Sequence, residues 1–429
     1  MVPVFLLVLF SLFCSYYIPA SAPSSEGAIN TGDTAWILMS SALVLLMTPG
    51  LSLFYGGMVN SRNVISTMLQ SFICLGIVSL IWVVVGFSLV FGDSIGGVIG
   101  NPMTFFMMNN VSGQTHNALS PTVPFILFAM FQLKFAVITP ALITGSFAER
   151  VKFKGYMVFI SLFILFIYAP LAHMTWHPNG LLKNIGVLDF AGGTVVHMSA
   201  GFAALAGAIF FGKRRNNQGH TQTPSNIPYI LIGTGILWFG WFGFNAGSAL
   251  AANELASMSF ATTNFAAAAG LMAWIFADMS RGFKPTAVGA CIGAVVGLVA
   301  ITPAAGFVTI GHSVVIGALS AFVSHFFVFL KSKTEIDDTL DVFPCHGIGG
   351  VMGMIMTGVF AKDVGLIYGQ TKTFYNHCLT VVLVGFFVFS LSYLIFKLVD
   401  KFMPLKVSNE EEETGLDVSQ HGESISSNN

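Results

Sequence analysis

Of the chain's 429 residues, 55% are hydrophobic and only 9% are charged, far fewer charges than the surface of a soluble protein of this length requires. A formal net charge of −1 argues against nucleic-acid binding, which needs clustered basic surface. The five cysteines have no paired spacing, so neither a disulfide framework nor a zinc site is indicated. The composition predicts a helical membrane protein.

The first 22 residues are apolar and end in Ala20-Ser21-Ala22, small residues typical of a signal-peptide cleavage site. The basic residues that usually open such a peptide are absent. The segment 1–22 is therefore either a cleaved signal peptide or an extra helix that is retained. A cleaved signal agrees better with an N-terminus outside the membrane.

Apolar stretches of about 20 residues, the length that crosses a bilayer, then recur along the chain. They predict eleven spanning helices near 34–60, 63–92, 121–148, 155–175, 191–212, 226–249, 255–278, 285–303, 307–330, 343–361 and 374–399. The stretch 285–330 carries no charge, and we divide it at 302–306, where Pro303 and Gly306 end a helix.

Basic residues set the orientation, because cytoplasmic loops are enriched in Lys and Arg. With the N-terminus outside, most of the 18 basic residues fall in cytoplasmic loops and in the tail. Only Lys183, Lys362 and Lys372 fall outside, and Lys134 lies within a span. The membrane domain is predicted to cover 34–402 and a cytoplasmic tail 403–429, whose acidic and Ser/Asn-rich composition is typical of a disordered terminus.

Two halves of five spans would lie antiparallel, the inverted-repeat design of many transporters, with the last helix as an addition. The predicted fold is thus an all-α polytopic membrane protein with an inverted five-plus-five repeat around a central pore. His197 opens the fifth span and His346 the tenth, both on helices rich in small residues that allow close packing. They are either a pair sharing a proton near the midplane or two unrelated core histidines.

Aromatic residues form a second group. Phe131 and Phe135 are four residues apart and share a helix face, and Trp176 closes the fourth span. Aromatic faces attract a desolvated cation by about 2 kcal/mol, although interfacial aromatics also simply anchor helices. We interpret Asp189 mainly as the cap of the fifth span and His325 as structural. Lys134 either extends its charge to the membrane surface or packs at a helix interface.

Several strings now resemble those of the ammonium transporters, the family of the Amt, Mep and Rh proteins. They cover roughly residues 34 to 423 and include Thr48-Pro49-Gly50, Phe147-Ala148-Glu149-Arg150, Ala172 to Trp176, Asp189 to His197, Trp241 to Ser248, Asp341 to Gly347 and Gly415-Leu416-Asp417. The presence of Trp176 favours the Amt branch over the Rh branch.

The resemblance implies a homotrimer with one pore in each subunit, which transports ammonium or ammonia, with methylammonium as an analogue, and uses no cofactor. It assigns an outer binding site to Trp176, Phe131, Phe135 and Ser248, and a gate to Phe131 and Phe244. His197 and His346 become a proton relay in the pore. Asp189 supports the outer site from behind, and Trp241 lies beside the lumen. It also allows for a cytoplasmic regulatory protein on the tail and a cell-membrane location, with an endosomal or vacuolar membrane as an alternative.

Three other functions compete with this one. An ammonium sensor would bind without flux, but the tail is too short for a large signalling domain. A gas channel for ammonia or carbon dioxide is disfavoured by the aromatic cage. An enzyme is disfavoured because no nucleophile–base pair or metal constellation is present in the sequence.

The orientation can be tested with reporter fusions. Fusions at Asn216 and Glu411 are expected to report a cytoplasmic position, and a fusion at Asn117 an external one, because basic residues keep their loops in the cytoplasm. An external tail would contradict the orientation.

Overall fold

The computed structural model describes Leu9, Leu12, Phe13 and the ranges 27–215 and 223–425. The prediction of a signal peptide at 1–22 therefore falls almost entirely outside the described residues, as does Asn216.

Long helices follow one another through these ranges. They are α1 (Thr31–Met58), α2 (Val64–Phe91), α3 (Phe125–Ile143), α4 (153–176), α5 (Gly193–Phe211), α6 (Ile227–Gly247), α7 (Glu254–Ser280), α8 (Ala287–Ile301), α9 (Ile310–Lys331), α10 (Phe343–Phe360) and α11 (Lys372–Phe402). Among the described residues, 10 helices are long and apolar enough to cross a membrane. The 15-residue α8 is apolar but shorter, so the count of eleven spans stays a prediction.

Helix beginnings follow the expected capping chemistry. The side chains of Asn30, Asn226, Asn253, Thr286 and Thr309 each accept a hydrogen bond from a backbone N–H in the first turn of the helix that follows. Helix α8 ends at Ile301, where Pro303 and Gly306 predicted the break.

Packing divides the helices into neighbouring groups. Helix α1 packs along α6, α7 packs on α8 and α9, and α11 packs on α5. Between helices, an antiparallel pair of short strands joins Ser94–Ile95 to Ile99–Gly100. Short helices occupy Phe106–Met108, Thr144–Ser146, Leu181–Asn184 and Leu366–Tyr368. An all-α membrane fold is confirmed.

A buried ion cluster ties together loops from both halves of the protein. Arg150, after α3, is fully buried and donates to the backbone oxygens of Ser146 (2.5 Å), Asp337 (2.6 Å) and Gly212. Arg214, after α5, lies 2.8 Å from the carboxylate of Asp337. Burial opposes ionisation, but hydrogen bonds from Arg214 and the charge of Arg150 lower the pKa of Asp337 to about 2. The loops after α3, α5 and α9 therefore meet at one face, here called the tail face.

The tail is folded onto this face, so the expectation of a disordered terminus is wrong for residues 404–425. It contains a short helix at Asn409–Thr414 and a turn at Asp417–His421. The Asp417 carboxylate accepts from the N–H groups of Ser66 (2.8 Å) and Ile65 (3.1 Å), at the N-terminus of α2. No side chain just before α2 caps this helix, and the Asp417 carboxylate of the tail caps it instead. This contact holds the tail in place.

Candidate functional site

The two helices that carry the paired histidines begin in the same way. Each opens with a turn of π-helix, at Gly193–Met198 in α5 and Phe343–Ile348 in α10. In each, an aspartate precedes the histidine by eight residues in the sequence, Asp189 before His197 and Asp338 before His346. π-Turns inside α-helices are rare and frequent at functional sites.

Both aspartates hold the first backbone N–H groups of their helices. Asp189 accepts from the N–H groups of Gly192 (2.7 Å), Gly193 (2.6 Å) and Thr194 (2.7 Å), and from the Thr194 hydroxyl. Asp338 accepts from the N–H groups of Val342 and Phe343. A carboxylate at a helix N-terminus offsets the helix dipole, so each one fixes the start of its helix. Burial raises the pKa of Asp338 to about 6, which leaves it mostly ionised at pH 7.

The close approach of α5 and α10 depends on glycine. A Cβ atom on Gly201 would overlap the backbone of Gly347, so the two helices touch there through their main chains. This contact brings His197 and His346 together: their Nδ1 atoms are 3.4 Å apart, and both side chains are buried. The predicted meeting of the two histidines is observed.

Thr302 determines which nitrogen of His197 carries the proton. Its single hydroxyl proton is donated to the carbonyl oxygen of Leu298 (2.8 Å), so the oxygen accepts from Trp241 Nε1 (3.0 Å) and from His197 Nε2 (3.2 Å). His197 is therefore protonated on Nε2, and its Nδ1 accepts from Nδ1 of His346. Among the described residues, Nε2 of His346 has no hydrogen-bond partner.

A narrow apolar cavity, here called the lumen, runs past this pair. It has room for about one water-sized molecule. Apart from the two histidines, its lining is apolar and aromatic, formed by Met47, Leu51, Phe54, Ile138, Leu142, Val196, Leu237, Trp241, Phe244 and Val295.

Aromatic rings close the lumen at the end away from the tail face. The rings of Phe244 and Phe135 are in contact, with centroids 4.3 Å apart and planes tilted by 38°. The Phe244 ring lies 6.0 Å from the His197 ring. Phe131 packs behind Phe135 at 5.0 Å and is fully buried. In the described structure, the ring opposite Phe244 is that of Phe135 and not that of Phe131, because Phe131 lies one helical turn further from the lumen.

A wider cavity, here called the vestibule, lies on the other side of these rings. Its lining includes Phe135, Trp176, Asp189 and Ser248. Trp176 donates from Nε1 to the backbone oxygen of Asp189 (3.2 Å), and its ring meets the edge of Phe135 at 5.8 Å. The Ser248 hydroxyl donates to the carbonyl oxygen of Phe244 (2.8 Å), which leaves its oxygen lone pairs free to accept.

Sequence reasoning missed three residues here. Thr302, which the sequence places at a helix break, bonds to His197. Gln132 lines the vestibule. Asp338, in the loop before α10, caps that helix. The eight-residue spacing from aspartate to histidine, repeated in both halves, was the signal for Asp338.

Histidines elsewhere have local partners. His325 pairs with Asp278 at 2.8 Å, and His173 binds the backbone oxygen of Val90 at 2.7 Å. Over the described ranges, no group of three or more His, Cys, Asp or Glu side chains is arranged to hold a metal ion.

Comparison with known proteins gives consistent results. The model of the Ammonium Transporter Family matches residues 35–425. An ammonium transporter of Aquifex aeolicus is 44% identical over 426 residues, which cover 98% of each protein. The crystal structure of Candida albicans Mep2 superposes with a TM-score of 0.84 at 35% identity, covering 89% of this chain and 88% of that one. A solved structure described as a sensor Amt protein gives 0.83 at 32% identity, covering 91% and 98%.

Replacing Thr302 with Val keeps the side-chain shape but removes the hydroxyl. Two buried donors, on Trp241 and His197, then lose their acceptor, and each costs about 1–3 kcal/mol. We expect a clear loss of thermal stability in the purified protein, whereas Thr302→Ser, which keeps the hydroxyl, stays close to wild type. Equal stability of the two variants would contradict the bridging role of Thr302.

Proposed function

Because this chain belongs to the Ammonium Transporter Family, we propose that it recruits ammonium ion in the vestibule, removes a proton, and conducts ammonia through the lumen. It is a multi-pass membrane protein that transports ammonium. The observation that supports this transport mechanism is the direct contact between His197 and His346 in an otherwise apolar lumen.

Recruitment is assigned to the vestibule end of the aromatic rings. A cation there meets the faces of Trp176 and Phe135 and the lone pairs of the Ser248 hydroxyl. Aromatic faces attract a desolvated cation by about 2 kcal/mol, and the hydroxyl accepts a hydrogen bond, which ammonium can donate. Asp189 places its charge behind the site, where its oxygens are already bound to backbone N–H groups.

Phe135 and Phe244 form the proposed gate. Their rings, in contact and tilted by 38°, lie between the vestibule and the lumen. Phe135 thus takes the position opposite Phe244 that was expected for Phe131. Phe131 supports the Phe135 ring from behind.

The proton is proposed to pass to the histidine pair. An ion in the apolar lumen costs at least about 2.5–3.5 kcal/mol near the bilayer centre, whereas ammonia carries no charge. Nε2 of His346 is the ring nitrogen without a hydrogen-bond partner, so it is the atom that accepts the proton from ammonium. The ammonium N–H bond breaks, a new N–H bond forms on His346, and ammonia is left. Potassium has no proton to give up.

The assembly is proposed to be a homotrimer with one pore in each copy, as the family resemblance implies. The lumen lining described above lies within a single chain. The protein is placed in the cell membrane, with the vestibule open to the outside and the tail face exposed to the cytoplasm. The distribution of basic residues supports this orientation. A regulatory protein, if it docks on the tail, would meet the acidic side chains of the helix Asn409–Thr414.

Alanine variants test the histidine pair. We expect His197→Ala and His346→Ala each to reduce uptake of labelled methylammonium by more than about tenfold, because proton transfer by a positioned side chain contributes typically 10²–10⁴-fold. Uptake is measured in cells that lack their own ammonium transport.

The matched control for these variants is His325→Gln. His325 does not line the lumen, and glutamine keeps a donor for Asp278. This variant is expected to transport like wild type. Small, equal losses in all three variants would refute the paired-histidine mechanism and leave only an apolar pore.

Replacing Trp176 with Leu tests the recruitment site. Leucine keeps an apolar side chain but removes the π face, so the half-saturation concentration for methylammonium is expected to rise roughly tenfold. Trp238→Leu is the control, because Trp238 packs against the core and lines neither cavity. If Trp176→Leu behaves like wild type at low ammonium, Trp176 is only an interfacial anchor.

A further inference from the structure

A lysine lies in the wall of the vestibule. Lys183 belongs to the short helix Leu181–Asn184 and lines the same cavity as Trp176 and Ser248. A positive charge on the path of a cation opposes its recruitment. Lys134, which lies in the middle of a predicted span, does not line this cavity.

The backbone holds Lys183 at this position. The N–H of Leu181 donates to the backbone oxygen of Gly97 (2.8 Å), and Asn376 binds the backbone oxygen of Ile185 (2.6 Å). Leu182 is buried beneath the helix while Lys183 is exposed. The lysine is therefore fixed at the rim by its main chain, with its ammonium group in solvent.

No carboxylate neutralises this lysine directly. Among the ion pairs of the described ranges, Lys183 takes part in none. Asp189 also lines the vestibule, but its two oxygens are occupied by three backbone N–H groups and the Thr194 hydroxyl. An approaching cation therefore meets the exposed charge of Lys183 in the wall of the vestibule as well as the charge of the more buried Asp189 carboxylate.

We propose that Lys183 is a specificity-determining residue at low ionic strength, where it disfavours divalent cations in the vestibule and makes ammonium recruitment dependent on the salt concentration. The inference rests on the recruitment site proposed above. For a monovalent ammonium ion, attraction to the aromatic faces and a hydrogen bond to Ser248 offset the repulsion from Lys183. A divalent ion meets twice the repulsion and has no proton to donate in a hydrogen bond.

Coulomb's law sets the expected size of the effect. Two unit charges roughly 10 Å apart in water change an equilibrium constant about twofold, and a divalent ion doubles the energy, which gives about fourfold. The Debye length is about 30 Å at 0.01 M salt and about 8 Å at 0.15 M, so the effect is present at low salt and largely screened at physiological salt.

The test compares Lys183→Gln with wild type in labelled methylammonium uptake at about 0.01 M and 0.15 M ionic strength. At low ionic strength, the variant is expected to show a half-saturation concentration about twofold lower, and inhibition by Mg²⁺ at a concentration about fourfold lower. Both differences are expected to shrink at the higher ionic strength, which a merely structural effect would not do.

Two control variants accompany this test. Lys183→Arg keeps the charge and is expected to match wild type. Lys372→Gln removes an exposed lysine at the start of α11, near the same face but outside the vestibule lining, and is also expected to match wild type. An unchanged Lys183→Gln variant at low ionic strength, or an equal shift in Lys372→Gln, would overturn the inference.

Failure of this inference is distinguishable from failure of the recruitment site. If the aromatic site is wrong, Trp176→Leu transports like wild type. If only the role of Lys183 is wrong, Trp176→Leu is defective while Lys183→Gln is unchanged at both ionic strengths.

Discussion

The carboxylate of Asp189 at the N-terminus of α5 is the contact on which the rest of the site depends. Hydrocarbon offers no hydrogen-bond partners, so an apolar pore requires every buried polar group to be satisfied within the protein. Asp189 binds three consecutive backbone N–H groups and thereby fixes the π-turn that carries His197. Its backbone oxygen accepts from Trp176, so one residue joins the vestibule to the lumen.

The second half of the protein repeats this solution with Asp338 and His346. Glycines at the crossing let the two helices meet through their main chains, and the histidines then come into direct contact. Thr302 completes the network by binding Trp241 and His197 at the same oxygen. The pair is thus held in one tautomeric arrangement, in which Nε2 of His346 has no hydrogen-bond partner among the described residues.

Much of this architecture could be predicted from the sequence, because apolar runs identify helices and two histidines stood at corresponding places in the proposed repeats. The sequence could not predict which ring faces Phe244, because Phe131 and Phe135 share one helix face and differ only in their position along the helix axis. The role of Thr302 could not be predicted either, because a hydroxyl at a helix break has no sequence pattern that identifies its hydrogen-bond partners. The ordered tail depends on a cap that Asp417 supplies to a helix more than 300 residues earlier, and no local signal records that contact. The number of spans stays a prediction, because α8 is short.

We propose that ammonium crosses by giving up a proton, and an ion of similar size that has no proton to give up provides the test of this step. Purified protein in liposomes can be given equal inward gradients of ammonium or potassium, and the flux of each measured against protein-free vesicles. If the proton is given up, ammonium flux is expected to be saturable, and potassium flux is expected to stay at the protein-free level. Potassium flux comparable with that of ammonium would contradict it.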